Sequence, residues 1–271
     1  MIIVQATGQT CNQFWIYSYF LADAIERDQK FAIWVPDASF VDFPNLLNSE
    51  NIIYPLYNNN LVSVFGFIKY TKLINFLFNN KISLRLLEYL TNRFTKHTFK
   101  ISNVDVKKSE FKLKHLVEIM NSFLPAEIIS RSVQKTIIDI KKTNTLIVGI
   151  HFRRGDYKTY QNGKYYYSNA QYASLMRHII KLFSLESVAF LLISNEEIDR
   201  SFFVDFNCYL SSSNLMAEDL YLLSQTDYIL GPPSTFSAWA SLYKNSPLYF
   251  IENAESDFTI NEFIDIKSIW F

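Results

Sequence analysis

The run Leu146-Ile147-Val148-Gly149-Ile150 is almost wholly apolar and stops without transition at His151-Phe152-Arg153-Arg154-Gly155-Asp156. A short apolar run bounded in this way reads as a buried strand, and in open α/β sheets the residues that bind ligands follow the carboxyl ends of the strands. The text after it keeps an α/β order. A helix is expected from Asn169 to Phe183, a strand from Val188 to Ser194, a short helix over Asp219 to Ser224, a strand over Tyr228 to Leu230, a helix over Ser234 to Tyr243 and a last strand over Pro247 to Ile251. The amino terminus has the same grammar: strand Ile2 to Ala6, turn Thr7 to Thr10, helix Asn12 to Arg27 and strand Phe31 to Val35. Between the two regions, Asp37 to Asn60 reads as loop, with Pro44, Pro55 and Asn58-Asn59-Asn60. Helical stretches follow over Leu61 to Thr95 and within Phe111 to Lys142, one helix starting near Pro125. The expectation is an α/β protein of two Rossmann-like domains facing one cleft, with a boundary near Lys142 to Thr145.

Composition is that of a folded protein. Apolar residues make up 49% of the 271 and charged residues 19%, which excludes a disordered or low-complexity chain. The 26 basic and 26 acidic side chains cancel, so the total gives no sign of a nucleic-acid binder. The distribution is uneven: Lys69, Lys72, Lys81, Arg85, Arg93, Lys96 and Lys100 face only Glu88 between Leu61 and Lys100. With Phe65, Phe67, Phe76, Phe78 and Phe94 interleaved, residues 65–100 either rest on an anionic membrane surface or form a core helix with a solvated basic face. No apolar run is long enough to span a bilayer, and Met1-Ile2-Ile3-Val4 lacks the layout of a signal peptide. Cys11 and Cys208 have no metal-ligand spacing and read as two reduced thiols, so the expected location is cytoplasmic, with peripheral contact at the inner face of the membrane. His97, His115 and His178 show no metal spacing either.

Two adjacent arginines at a strand's end are costly unless something anionic meets them. Side chains alternate along an extended segment, so Arg153 and Arg154 point to opposite sides. One can take a ligand while the other ties the loop to the protein, for which Asp156 is the nearest carboxylate. A guanidinium offers bidentate, permanently charged hydrogen bonds to a diphosphate and can stabilise charge on a departing phosphate as a metal ion does elsewhere. A surface ion-pair loop is the structural alternative.

The segment His151-Phe152-Arg153-Arg154-Gly155-Asp156-Tyr157 resembles the His-x-Arg-Arg-x-Asp signature of the α-1,2-fucosyltransferase family. Two further stretches resemble the same family. One runs from Glu218-Asp219-Leu220 to Gly231-Pro232-Pro233-Ser234-Thr235-Phe236-Ser237-Ala238-Trp239, like its carboxyl-terminal motif. The other, Gly8-Gln9-Thr10-Cys11-Asn12-Gln13, is similar to its Gly-Asn-Gln element, with Cys11 where glycine is usual. The resemblance implies a GT-B fold, with an acceptor-side domain over 1–143 and a donor domain over 144–271. It also implies GDP-fucose as donor, inversion at the anomeric carbon, no required metal and a glycan or lipid-linked glycan acceptor. It puts Arg154 on the β-phosphate and His151 near the nucleoside. Arg153, Ser234, Thr235 and Phe236 belong to the same donor set, and Asn12, Asp156 and Arg154 to the reaction. Physically, Ser234 and Thr235 open a helix whose positive end suits a phosphate, and Asp219 can accept from guanine's N–H edge. Ser234 and Asn12 also read as plain helix caps, and Phe236 and Trp239 as core. Glycine replaced by Cys11 makes positive φ uncomfortable. That substitution keeps open a non-catalytic glycan binder on a decayed scaffold, beside a transferase of the same fold using another nucleotide sugar. Tyr165-Tyr166-Tyr167 offers a stacking platform or core packing.

Overall fold

The computed structural model describes residues 2–6, 8–33, 36–54, 98–102, 110–184, 186–211, 213 and 215–270. The expected helix over Leu61 to Thr95 therefore lies outside the described residues, as do His97 and all of the expected membrane-contact stretch 65–100 except Thr98, Phe99 and Lys100. The chain forms two compact units, Met1–Leu124 and Pro125–Phe271.

The first unit is built on a four-stranded parallel sheet. Its strands are β1 (Ile2–Ala6), β2 (Phe31–Ile33), β3 (Ile52–Ile53) and β4 (Thr98–Ser102), in the order β3-β2-β1-β4. β1 leads through a turn at Gly8 into α1 (Thr10–Glu26), which buries Phe14, Trp15, Tyr17 and Leu21 on one side. Phe14 meets the rings of Phe40, Phe43 and Phe123 at 4.7–5.6 Å between centroids, so aromatic contact joins α1 to the short helical segments that follow β2 and to the end of the helix at Leu116–Ser122. The stretch expected as loop holds a short 3₁₀ helix (Ala38–Asp42), α2 (Pro44–Leu47) and β3. Prolines punctuate these elements rather than prevent them: Pro44 sits at the first position of α2, where its missing N–H costs nothing. β4 was not anticipated, although Ile2↔Thr98 through Ala6↔Ser102 give it five partners on β1. A third helix, α3 (Leu116–Ser122), follows.

In the second unit, α4 (Glu127–Lys141) precedes a five-stranded parallel sheet. The strands β5 (Leu146–Phe152), β6 (Val188–Ser194), β7 (Cys208–Leu210), β8 (Tyr228–Gly231) and β9 (Leu248–Phe250) lie in the order β7-β6-β5-β8-β9. The helices α5 (Asn169–Leu182), α6 (Met216–Ser224), α7 (Thr235–Lys244) and α8 (Lys267–Trp270) complete it. The compact units divide between Leu124 and Pro125, ahead of the boundary read from the sequence. Lys141 pairs with Asp227 at 2.9 Å and Ser132 bonds Glu218 at 2.7 Å, so α4 is held by this unit. β5 is buried from Ile147 to Phe152 and pairs with β6 over seven residues. Gly149 admits α6 at close range, because a Cβ there would lie 2.6 Å from Leu223 Cδ1 and 2.8 Å from Thr226 Oγ1. On the other face Phe152 stacks on Tyr172 at 3.9 Å and meets Phe203 edge-on. Burying one such ring contributes about 1.5–3 kcal/mol.

Strand order decides where ligands can sit. From β5 the chain moves outward to β6 and β7, then returns to lay β8 on the opposite side of β5. The carboxyl ends of β5 and β8 therefore flank the point where the winding reverses, the position at which open α/β sheets open a crevice.

Candidate functional site

β5 ends in His151 and Phe152 and releases the arginine loop; β8 ends at Gly231 and releases Pro232-Pro233-Ser234. Both loops thus stand at the reversal point, brought close by the absence of a side chain at Gly231, whose Cβ would fall 2.9 Å from His151 Cβ. Tyr157 ties them together: its hydroxyl donates to the Pro233 carbonyl at 2.5 Å.

The two arginines differ. The Arg153 Nη2 meets the Asp156 carboxylate at 2.9 Å, and its guanidinium lies 5.2 Å from the centre of the Tyr157 ring. Arg154 donates through Nη2 to the side-chain oxygen of Asn169, at the start of α5, and lies beside the rings of Phe152 and Tyr166 at 5.6 and 5.9 Å. No carboxylate among the described residues pairs with Arg154, whose guanidinium is held in place by the neutral Asn169 side chain. The loop backbone is fixed from the β6 side, where Asn195 Oδ1 accepts from the Arg154 N–H at 3.0 Å and Glu196 Oε1 from the Gly155 N–H at 3.0 Å. Gly155 has φ +59°, which suits glycine at this turn.

His151 is buried, with its ring tilted against Phe236 at 4.9 Å. Burial, and then the charge of Arg153, lower its pKa to about 3, so the imidazole is neutral near pH 7. Phe236 is half-buried against this histidine, whereas Trp239 is fully buried in the core. Ser234 is the N-cap of α7, its hydroxyl accepting from the Phe236 N–H at 3.2 Å, and Thr235 is the first helical residue. The helix begins one residue later than expected because Ser234 has the extended backbone of a cap.

A cavity of about 700 Å³ opens beyond the ends of β6 and β7, lined by Ser194, Glu196, Ile198, Arg200, Ser211 and Asp219 among others. Glu196 also holds the arginine loop, so cavity and loop share a wall. Asp219, in the first turn of α6, accepts from the Ser211 hydroxyl. Burial, offset by that hydrogen bond and aided by Glu218, raises its pKa to about 6.

In the first unit, Asn12 is the third residue of α1, whose N-cap is Gln9, so Asn12 is not the cap. Its side chain packs on the turn: a Cβ at Gly8, where φ is +90°, would lie 2.7 Å from Asn12 Nδ2. Cys11 is buried inside α1 and is not among the residues with positive φ, so the strain expected of a cysteine in glycine's place does not arise. The left-handed position of this turn is Gly8. Near it Asp37 accepts from Thr10, Gln13 and Ser39.

Sequence reading singled out none of Tyr157, Asn169, Asn195, Glu196 and Ser211 as partners. Tyr157 stood inside the motif and Asn169 at a helix start, but nothing local announces a contact across fifteen or more residues. Tyr165 and Tyr167 are buried, the latter donating to the Ile251 carbonyl at 2.8 Å, which settles them as packing residues. Cys11 and Cys208 are thiols, not a disulfide. Among the described residues no group of three or more His, Cys, Asp or Glu could hold a metal ion, and no helix is long and apolar enough to cross a membrane.

Solved structures with the same fold include POFUT1 in complex with GDP-fucose, at 12% identity and a TM-score of 0.56 over 92% of this chain and 97% of that one. Fucosyltransferase NodZ from Bradyrhizobium superposes with a TM-score of 0.56 at 12% identity, over 94% of this chain and 96% of that one. An Arabidopsis thaliana FUT1 mutant in complex with GDP gives 0.53 at 12% identity, over 93% of this chain and 71% of that one. At such identities the likeness speaks for the fold, an α/β fold of the GT-B type. No curated protein matches the chain. The family model of glycosyl transferase family 11 matches residues 38–267, most of the chain and the whole five-stranded sheet of the second unit, and the protein belongs to that family.

Proposed function

We propose that this glycosyltransferase moves fucose from GDP-fucose to a hydroxyl of a glycan acceptor with inversion at the anomeric carbon. The observation that carries the reading is the reversal point of the second sheet, where an arginine with no carboxylate partner among the described residues and the capped start of α7 follow adjacent strands. A diphosphate is the anion that fits such a pair, since Arg154 supplies charge and α7 supplies N–H groups at its positive end. POFUT1 and the FUT1 mutant were solved with GDP-fucose and GDP, which supports guanine as the base.

In this reading the base enters the 700 Å³ cavity and Asp219 accepts from its N–H edge. Neutral His151, its ring tilted against Phe236, hydrogen-bonds the nucleoside. The acceptor hydroxyl attacks the anomeric carbon and gives up its proton to solvent, the bond from that carbon to the β-phosphate oxygen breaks, and GDP leaves with the electron pair. Arg154, Ser234 and Thr235 take up the charge. Asp156 orients Arg153 through their ion pair, which fixes the loop. Asn12 is assigned to the acceptor side, and the Arg154 guanidinium supplies the kind of charge stabilisation that a metal ion gives in other transferases. The test is incubation with GDP-fucose and a panel of glycosides, read by mass spectrometry for a gain of one deoxyhexose. Thermal protection by GDP but not by UDP or ADP is expected alongside it. Equal protection by all three nucleotides, or transfer from another sugar nucleotide only, refutes the donor assignment.

A further inference from the structure

We infer that the Tyr160–Gly163 turn is a sugar-binding shelf for the acceptor, with the Tyr160 ring as its platform, an inference that rests on the donor reading of the neighbouring arginine loop. Tyr160 is 48% exposed, yet it is not a loose side chain. Its ring stacks on Tyr157 at 5.1 Å with 30° between planes. Tyr157 is buried, anchored at Pro233 and packed beneath the Arg153 guanidinium. The exposed ring therefore sits one aromatic thickness from the loop, on a fixed column.

The backbone holds it there at a cost. Gln161 (φ +47°), Asn162 (φ +59°) and Gly163 (φ +76°) are three successive left-handed residues, and glutamine has no special tolerance for that region. Gln161 and Asn162 are exposed beside Tyr160 in the chain, and Gln161 Nε2 donates to the Tyr160 hydroxyl at 3.2 Å. A flat amphipathic ring beside a carboxamide matches a pyranose: C–H groups lie on the ring while hydroxyls exchange hydrogen bonds with the amide. The ligand class is a neutral hexopyranoside with a continuous C–H face.

The probe is lactose with GDP-fucose, on the full chain and on Tyr160→Ala and Tyr160→Phe. Tyr160→Ala raises the KM for lactose about tenfold, the size of one lost stack, while Tyr160→Phe keeps the ring and stays within about twofold. The GDP-induced rise in Tm is the same in all three proteins. An unchanged KM in Tyr160→Ala, or equal rises in both variants, overturns the inference. So does lactose that neither accepts sugar nor shows saturation transfer from the wild-type protein in the presence of GDP. Failure of the donor reading shows separately, as no GDP-induced rise in the wild-type Tm.

Discussion

Replacing Asp219 by asparagine separates what this carboxylate does for the fold from what it does for the ligand. Burial raises its pKa to about 6 against the hydrogen bond from Ser211, so the group is about 90% ionised at pH 7 and about 10% at pH 5. Only the carboxylate can accept from guanine's N–H edge without a donor facing a donor. The Kd for GDP therefore weakens about tenfold from pH 7 to pH 5. Asp219→Asn costs about 1.5–3 kcal/mol of binding, roughly 10- to 150-fold in Kd, and flattens that dependence. Stability moves the other way. A folded-state pKa above the ordinary carboxylate value favours the neutral form, so the unliganded protein loses stability as pH rises from about 4 through about 6, a loss the asparagine variant escapes. Calorimetric titration with GDP at pH 5 to 8 measures the first effect and Tm without ligand the second. The residual slope of the variant reports protonation of the nucleotide itself. Asp219→Asn binding GDP within about threefold of wild type at pH 7, with the wild-type pH slope, refutes guanine recognition here.

Arg154→Ala should lower kcat about 10²- to 10³-fold in a protein that still melts cooperatively, with Arg154→Lys recovering part of the loss and EDTA leaving wild-type turnover unchanged. Near-normal turnover of the alanine variant ends the assignment. Ser234→Ala removes the cap on Phe236 and costs about 1 kcal/mol, a Tm fall of about 2–4 °C, together with weaker GDP binding; Ser234→Gly regains most of the stability. Gly149→Ala forces a methyl against Leu223 and Thr226, and its urea midpoint should drop by the equivalent of about 1–3 kcal/mol with an unchanged slope.

Much of this protein is readable along the chain. Apolar runs such as 146–150 and 188–194 are strands because continuous burial leaves a continuous pattern, and the helices over 10–26 and 169–182 follow from periodicity and turn residues. The abrupt passage from Ile150 to Arg154 marks a binding loop for the same local reason. β4 and β7 escaped notice because a strand at the end of a sheet's order, as each is, draws its identity from one long-range partner. The division of labour between the arginines was equally invisible: alternation puts them on opposite sides, but which one meets Asp156 and which one Asn169 depends on where the loop is pinned by Asn195 and Glu196, forty residues on. Sequence by itself determined most of the longer elements, the parallel sheets and the charged loop, since these are consequences of local pattern. The tertiary structure alone decided which loops meet at the reversal point, which arginine pairs with a carboxylate and which tyrosine stays exposed, because those depend on strand order and packing between residues far apart in the chain.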